Sequence, residues 1–328
     1  GYGMIKLFPL QAPYPSISNL NTHYGDFSHW KVFSMSLGIV PGYESFLGGV
    51  EILAGLLLLY RKTATVGAFI IIVFTGNVFM SNLAYEGGED VYSFYLITLA
   101  LFLFAFDAVR LYTLFGQERA VRPNRFRPLL ARQQQKWGRY AAKGGVLFFF
   151  VFLYGFKTYT GFHTDPYPFP REDGLPGAAG IYDVTEFRIN NRVIPYSLTD
   201  SLRWKDVVFE KWATLSIRSN RPVVLEHALV EQVAAKDSDR KYELAGSAGR
   251  HYYSYRIDEQ NNRLQLHNKN RHYKGESLSL RFVRKTKDQI IVDGVNERGD
   301  SLYAVLNRIP KKYLLQEAAK GRNKPIRL

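Results

Sequence analysis

The stretch from Tyr43 to Val109 contains three long apolar runs, which short charged or turn-forming segments separate. They read YESFLGGVEILAGLLLLY (43–60), ATVGAFIIIVFTGNVFMSNLAY (64–85) and VYSFYLITLALFLFAFDAV (91–109). A helix needs about 20 residues to cross the hydrocarbon core of a bilayer, and each run is about that long. Polar residues do not recur along the runs with the period of an amphipathic helix. We therefore predict a membrane protein with spans near 43–60, 64–85 and 91–113.

The flanking sequence extends this bundle in both directions. GGVLFFFVFLYGFKTYTGF at 144–162 predicts a further complete span, and GYGMIKLF at 1–8 resembles the last turns of another apolar helix. We expect that more of that helix precedes Gly1. Residues 9–42 combine prolines, which break helices, with Tyr and Trp, which favour the headgroup zone. This segment is predicted to be an interfacial loop with one short helix near 29–37.

Charge asymmetry predicts the orientation of the spans. Residues 116–143 carry a run of basic residues against Glu118 alone: Arg119, Arg122, Arg125, Arg127, Arg132, Lys136, Arg139 and Lys143. Such loops stay in the cytoplasm and touch anionic lipid headgroups. Everything after residue 163 is then exported, which in a bacterial inner membrane means that it is periplasmic. The net charge of +14 is compatible with nucleic-acid binding in general, but an exported domain makes nucleic acid an unsuitable partner.

The C-terminal half has the period of β-strands. A linker rich in Pro and Gly at 163–180 precedes residues 181–328, where apolar and polar residues alternate or cluster between short turns. Residues 223–235 suit either a helix or a strand, and the last twenty residues form a basic tail. The predicted fold is an α-helical transmembrane bundle joined to an all-β antiparallel meander, curled into a barrel or packed as a sandwich. The predicted strands lie at 182–189, 213–219, 251–257, 263–268, 277–283, 289–295 and 301–309.

Ionisable and amide side chains inside spans are the candidate functional residues, because they are costly there. Glu51 lies in the middle of its span, and Lys6, Asn77 and Lys157 lie toward the outer leaflet, with Glu44 and Asn82. We predict an intramembrane polar cluster of Lys6, Glu51, Asn77 and Lys157, in which a Lys–Glu pair would satisfy both charges. The interpretation that we favour is that these groups hold helices together through polar contacts, while the small residues Gly48, Gly49, Ala54 and Gly55 let neighbouring helices approach closely. The alternative is that the cluster is a cofactor-binding or proton site.

Several classes of chemistry find no support in the sequence. The chain has no cysteine, which excludes a catalytic thiol, a cysteine metal site and disulfides. Its seven histidines are scattered and form no HExxH pattern, so we expect no metal site. GESLS and GDSLY are not GxSxG nucleophile elbows, and no phosphate-binding glycine loop is present.

The order of segments in the first third of the chain is distinctive. YGMIKLFPLQ ends a helix and is followed by PYPSISNL, HYGDFS, GGVEILAGLLLLYRKTATVGAFI, a helix that contains Asn77, and SFYLITLALFLFAFD. Residues 1–115 with this pattern resemble the DoxX/DoxD-like family of small membrane-helix bundles. The longer members look similar throughout, with a last membrane helix and an exported β-rich domain. The resemblance places the family's helix-end lysine on Lys6, its second-helix glutamate on Glu51 and its third-helix asparagine on Asn77.

The resemblance also implies a range of activities. Members are associated with quinone-linked sulfur oxidation or with membrane redox assemblies, but this chain lacks the cysteine that thiol chemistry would need. We therefore predict a non-catalytic accessory subunit of a respiratory or envelope assembly, whose partners are membrane lipids and other membrane or periplasmic subunits. One alternative is a redox enzyme subunit that handles a quinone or another lipid near Glu51. Another is a small-solute transporter, because YGMIK with PYP at 2–15 resembles YGFK with PYP at 154–168 and could mark a repeat.

Overall fold

The computed structural model describes residues 1–122, 133–164, 172–226 and 239–319. The chain forms two compact units. The helical unit contains Gly1–Ala12 and Val40–Thr164, and the barrel unit contains Pro13–Ile39 and the chain from Asp165 onwards. The chain therefore leaves the helical unit after Ala12, returns to it at Val40 and leaves it again after Thr164.

In chain order the helices of the described residues are α1 (Tyr2–Leu7), α2 (Ile17–Leu20), α3 (His29–Gly38), α4 (Pro41–Leu58), α5 (Arg61–Ala84), α6 (Asp90–Gly116), α7 (Gln133–Thr164), α8 (Tyr242–Ala245) and α9 (Leu314–Ala319). Of these, α1 and α4–α7 belong to the helical unit. Pro41 starts α4, since proline is tolerated at the first helical position, and Asp90 starts α6, where a carboxylate suits the helix dipole.

Three helices, α5, α6 and α7, are long and apolar enough to cross a membrane. Most of their side chains are exposed within the chain itself, which suits helices that face lipid. The helix expected at 43–60 is present as α4, but it is shorter than the other three and carries Glu44 and Glu51, and it is not among these three. Helix α7 is already present at Gln133, well before the expected span at 144–162, and it runs from there through Lys143 to Thr164.

The barrel unit contains an antiparallel barrel of eight strands. The strands of the described residues are β1 (Gly180–Ile189), β2 (Arg192–Val193), β3 (Asp206–Phe209), β4 (Thr214–Arg218), β5 (Arg250–Asp258), β6 (Arg263–Asn268), β7 (Ser277–Thr286), β8 (Gln289–Asn296) and β9 (Ser301–Arg308). Each strand pairs with the next along the chain from β3 to β9, and β1 pairs with both β3 and β9, which closes the sheet. The short β2 lies outside the barrel and pairs with β1.

Side chains fill the interior of the barrel. Alternate residues of the strands point inward and form one buried cluster, with aromatic contacts such as Tyr182 against Phe209 and Phe187 against Trp204. Leu175 and Ala178, which precede β1, are buried in the same cluster. An eight-stranded barrel is just wide enough for this kind of filling. The described residues thus enclose a packed core rather than a ligand chamber.

Residues 13–39, here called the 13–39 linker, pack against the barrel. The contacts of this segment lie with β1 and β3–β5. The outer faces of β3 and β4 are consequently buried as well as their inner faces. The position of the segment at the membrane interface stays a prediction. The short helix expected at 29–37 is confirmed as α3.

The predicted combination of a helical bundle and an all-β domain is confirmed, and the β-domain is a closed barrel rather than a sandwich. All seven predicted strands are present. The strands β2 and β3 were not predicted, because β2 has two residues and β3 lacks the alternation of a half-buried strand. Parts of four predicted segments fall outside the described residues: the basic loop, the Pro/Gly linker, the helix or strand at 223–235, and the basic tail.

Candidate functional site

The candidate site in the helical unit is built where α1 crosses α4. A side chain at Gly48 would come within 2.4 Å of the Leu7 backbone nitrogen and within 2.5 Å of the Gly3 carbonyl oxygen. Glycine is therefore required at this position, since any larger residue would push the two backbones apart. The predicted role of Gly48 in close helix packing is confirmed. Gly49 and Gly55 have open space beside them among the described residues and do not share this role.

Close crossing brings Lys6 of α1 against Glu51 of α4. The Lys6 ammonium and the Glu51 carboxylate form an ion pair, with 12% of the lysine side chain and 21% of the glutamate side chain exposed. The ammonium also lies 5.8 Å from the centre of the Phe74 ring, over its face. Each charge is thereby compensated by the other, which is what a partly buried pair requires.

The end of α1 is held by two further side chains of α4. Ser45 donates a hydrogen bond to the Leu7 carbonyl oxygen at 2.9 Å. The buried carboxylate of Glu44 accepts hydrogen bonds from the backbone of Gln11 at 2.9 Å and of Ala12 at 3.2 Å. Glu44, Gly48 and Glu51 lie four and three residues apart, so they share one face of the helix. This face of α4 is therefore specialised for holding α1.

The other two predicted site residues do not bond to this pair. Asn77 is exposed and accepts a hydrogen bond from Ser81 in its own helix at 3.4 Å. Lys157 is exposed, and within the described ranges of the chain it forms no ion pair or hydrogen bond. Asn82 is buried and donates to the Val78 carbonyl oxygen of its own helix at 2.9 Å. The hydrogen bonds and ion pairs of the structure thus reduce the predicted cluster to Lys6 and Glu51.

A second set of buried polar groups joins the 13–39 linker to the barrel wall. Glu210, which follows β3, is almost fully buried and accepts hydrogen bonds from the backbone of Ser18 at 2.7 Å and of Ile17 at 3.1 Å. Burial raises the pKa of the Glu210 carboxyl group above its ordinary value. Ser16 caps α2 through a reciprocal pair of bonds with Asn19, so the amide groups that Glu210 meets are held in place.

Arg250 on β5 is the centre of this contact. Its guanidinium is fully buried, forms an ion pair with Asp206 at 2.7 Å, and donates to the Asn21 carbonyl oxygen at 2.9 Å and to Thr22 at 3.1 Å. Asp206 also pairs with Arg218 at 2.9 Å. A buried arginine with this many partners is satisfied in charge and in hydrogen bonding. The arrangement fastens the 13–39 linker to the strands.

This network was not predicted from the sequence. Asp206, Glu210 and Arg250 occupy outward positions of strands, where charged residues usually meet water. The available signal was the absence of alternation in DVVFE at 206–210, since a strand buried on both faces reads as a continuous run. The missing alternation indicates that the outer face of β3 is buried, but it does not identify the segment that buries it.

One further titratable group is buried in the barrel wall near this network. His251 accepts a hydrogen bond from Arg221 at 3.2 Å and packs against the Tyr273 ring. Burial, helped by the positive charge of Arg221, lowers the pKa of His251 to about 4. Arg221 in turn pairs with Glu276 at 2.6 Å. The imidazole is therefore neutral near pH 7.

Neither polar set resembles a metal centre or a nucleophilic site. Within the described ranges, no group of three or more His, Asp or Glu side chains is placed to hold a metal ion. Comparison of the chain with protein-family models, with curated proteins and with solved structures finds no match.

Proposed function

We propose that this chain is a non-catalytic accessory subunit of a membrane assembly, in which the helices anchor the barrel and the barrel meets other subunits. The observation that carries the proposal is the incorporation of the 13–39 linker into the barrel unit. A domain that only has to stay near the membrane needs a single flexible connection to its membrane anchor. Here the loop between α1 and α4 is fastened to the barrel by buried charged groups, in addition to the connection that follows Thr164.

The remaining geometry supports an anchoring role. Lys6 and Glu51 compensate each other at a tight helix crossing, and the barrel core is filled with side chains. We further propose that the assembly lies in a bacterial inner membrane, with the barrel in the periplasm and the basic residues at 116–143 in the cytoplasm. The resemblance to DoxX/DoxD-like proteins is part of the same proposal and favours a respiratory or envelope assembly.

The test is the composition of the assembly in mild detergent. The full chain should be recovered with stoichiometric companion proteins, and variants that loosen the 13–39 linker, such as Ser18→Ala with Thr22→Ala, should reduce their recovery. Ser254→Ala is a matched control, because this residue lies on the outer face of β5 outside the buried network. Recovery of the wild-type chain without any companion protein would contradict the proposal.

A quinone-handling subunit is the alternative that the Lys6–Glu51 pair keeps open. Both side chains retain some exposure and an aromatic ring lies beside them, as a site for a quinone headgroup would require. The variants Glu51→Gln and Lys6→Met separate the two functions. Quinone-dependent respiration of the cells should be unchanged if the pair only holds helices together, provided that the protein level is unchanged. A selective loss of that activity would favour the quinone site.

A further inference from the structure

Helix α7 is longer than a single crossing of a bilayer requires. Its 32 residues extend over about 48 Å, whereas the hydrocarbon core is about 30 Å thick. The apolar part of α7 starts near Gly144, so residues 133–143 extend beyond the core. The headgroup layer on each side of the core is about 5–7 Å thick, and four helical residues rise about 6 Å. The turn at 139–143 therefore lies at the level of the lipid headgroups.

Basic side chains occupy one face of this part of α7. Lys136, Arg139 and Lys143 are spaced three and four residues apart, so they share one face of the helix. Trp137 and Tyr140 lie beside this face and are 67% and 69% exposed. Tryptophan and tyrosine favour the boundary between the hydrocarbon core and the headgroups. The segment thus combines positive charge with the aromatic residues that are typical of a membrane interface.

A contact with α4 brings a second basic segment to the same place. The Lys143 ammonium donates a hydrogen bond to the Leu59 carbonyl oxygen, where α4 ends. Arg61 and Lys62 follow at the start of α5. Lys62 and Arg139 are exposed, and among the described residues neither side chain forms an ion pair or a hydrogen bond. An ammonium has three donors, so Lys143 also keeps donors beyond the one that Leu59 uses.

Acidic side chains do not balance these charges. This end of the helical unit, where α4 and α6 end and α5 starts, is here called the basic end. The acidic residues that the described ranges place there are Asp107 and Glu118. Asp107 is already bonded to Arg110 and to Thr65 of the neighbouring helix. The basic end therefore carries a net positive charge.

We propose that Lys62, Arg139 and Lys143 form a binding site for the phosphate group of an anionic phospholipid. Ammonium and guanidinium groups bind phosphate through charge-assisted hydrogen bonds. The depth of these cations in the membrane and the aromatic side chains beside them favour a lipid over a soluble partner, because lipid phosphates already lie at that depth. The inference goes beyond the accessory role and requires only that α7 crosses the membrane.

Native mass spectrometry of the full chain in mild detergent tests the site. The probes are phosphatidylglycerol and phosphatidylcholine with the same acyl chains, titrated separately at physiological ionic strength. We expect the chain to bind phosphatidylglycerol more tightly than phosphatidylcholine. In Lys62→Gln with Arg139→Gln, the affinity for phosphatidylglycerol should fall about 25-fold, because each basic residue near anionic headgroups contributes about fivefold.

Two further variants control for net charge and for folding. Lys285→Gln with Lys287→Gln removes the same charge from exposed positions in the barrel unit, and the affinity should stay within about twofold of that of the wild type, since distant exposed charges are screened. Lys62→Arg with Arg139→Lys keeps both charges and should retain most of the affinity. A loss in this variant as large as that in the glutamine variant would count against the site.

Three other results would overturn the proposal. The first is equal affinity of the wild-type chain for phosphatidylglycerol and phosphatidylcholine. The second is an equal loss in Arg119→Gln with Arg122→Gln, two exposed residues elsewhere at the basic end, which would indicate diffuse attraction instead of a site. The third is displacement of phosphatidylglycerol by glycerol phosphate or by a short single-stranded RNA at similar concentration. These competitors would indicate a site for a soluble phosphate or a nucleic-acid surface.

Discussion

The two sides of the barrel wall differ in what covers them. On β3–β5 the outward side chains of Asp206, Ser216 and Arg250 are buried under the 13–39 linker. On β6–β8 the outward side chains, such as Arg263 and Arg281, are exposed. Polar and charged residues occur at outward positions on both sides, although some outward positions are apolar, such as Val208 on β3 and Val295 on β8. The difference shows that the cover, and not the composition of a strand, decides whether its outward charges contribute to stability.

The largest effect should come from Arg250→Ala. Removing this guanidinium leaves the buried carboxylate of Asp206 with only Arg218 and removes the bonds to Asn21 and Thr22. Removing one partner of a buried ion pair typically lowers the free energy of unfolding by about 3–5 kcal/mol. We expect a loss of that size in the free energy of unfolding of the barrel unit. Denaturant titration of the full chain in detergent checks it, in a Trp137→Phe background so that the remaining tryptophans all lie in the barrel unit.

Arg256→Ala is the matched control for this prediction. Arg256 lies on the same strand and the same outer face as Arg250, but it is exposed. Its loss should change the unfolding free energy by less than about 0.5 kcal/mol. Equal effects of the two substitutions would mean that the linker does not bury the β5 surface.

The next largest effect concerns the pH dependence through His251. The pKa of about 4 in the folded chain lies below the ordinary value of 6.5, so the unfolded chain binds more protons between these values. The folded state therefore loses stability as the pH falls from about 6.5 toward 4, by about 3 kcal/mol at most. His251→Gln should remove this part of the pH slope. Urea titrations at several pH values check it, and a slope as steep as that of the wild type would contradict the burial of a neutral imidazole.

A smaller effect is expected for Ser18→Ala at the contact between linker and barrel. Ser18 is fully buried, and its hydroxyl group lies 2.7 Å from that of Ser216. Losing one buried hydrogen bond costs about 1–2 kcal/mol. Ser254→Ala serves as the control on the less covered part of β5, where the change should stay below about 0.5 kcal/mol. If both variants unfold at the same denaturant concentration as the wild type, the serine pair does not hold the linker.

The smallest effect should come from the exposed side of the wall. Arg281 pairs with Asp293 on the neighbouring strand at 3.2 Å, with 57% of the arginine side chain and 36% of the aspartate side chain exposed. Exposed pairs are worth about 0–1 kcal/mol and weaken with salt. A double-mutant cycle with Arg281→Ala and Asp293→Ala should give a coupling energy within this range that falls at high salt. A larger, salt-independent coupling would remove the contrast between the two sides.

The sequence predicted the helices and strands whose residue pattern is periodic and lies within one element. Long apolar runs predicted the helices, and alternation predicted seven strands, because each pattern lies within one element. The Lys6–Glu51 pair could also be predicted from the sequence, because a charged side chain within an apolar span needs a partner of opposite charge. Lys157 was grouped with that pair by its depth in the span, and Asn77 by its depth and by the family resemblance. Neither criterion determines which face of a helix a residue occupies.

The contacts that could not be predicted join distant parts of the chain. Ser18 and Glu210 are separated by 192 positions, and no local pattern of either segment refers to the other. The charged residues of β3–β5 look like ordinary solvent-facing positions until the 13–39 linker is placed over them. Closure of the sheet through β1 and β9 is a contact of the same kind, which is why barrel and sandwich could not be distinguished.

Hydrogen–deuterium exchange of the full chain in detergent measures most directly whether the 13–39 linker is part of the barrel unit. The backbone amides of Ile17 and Ser18 donate to the buried carboxylate of Glu210, so their exchange requires that the linker leaves the barrel. We expect peptides that cover these residues to exchange about as slowly as those from β4 and β5, and to exchange faster in Arg250→Ala. Exchange at the rate of an exposed loop in the wild-type chain would contradict the account.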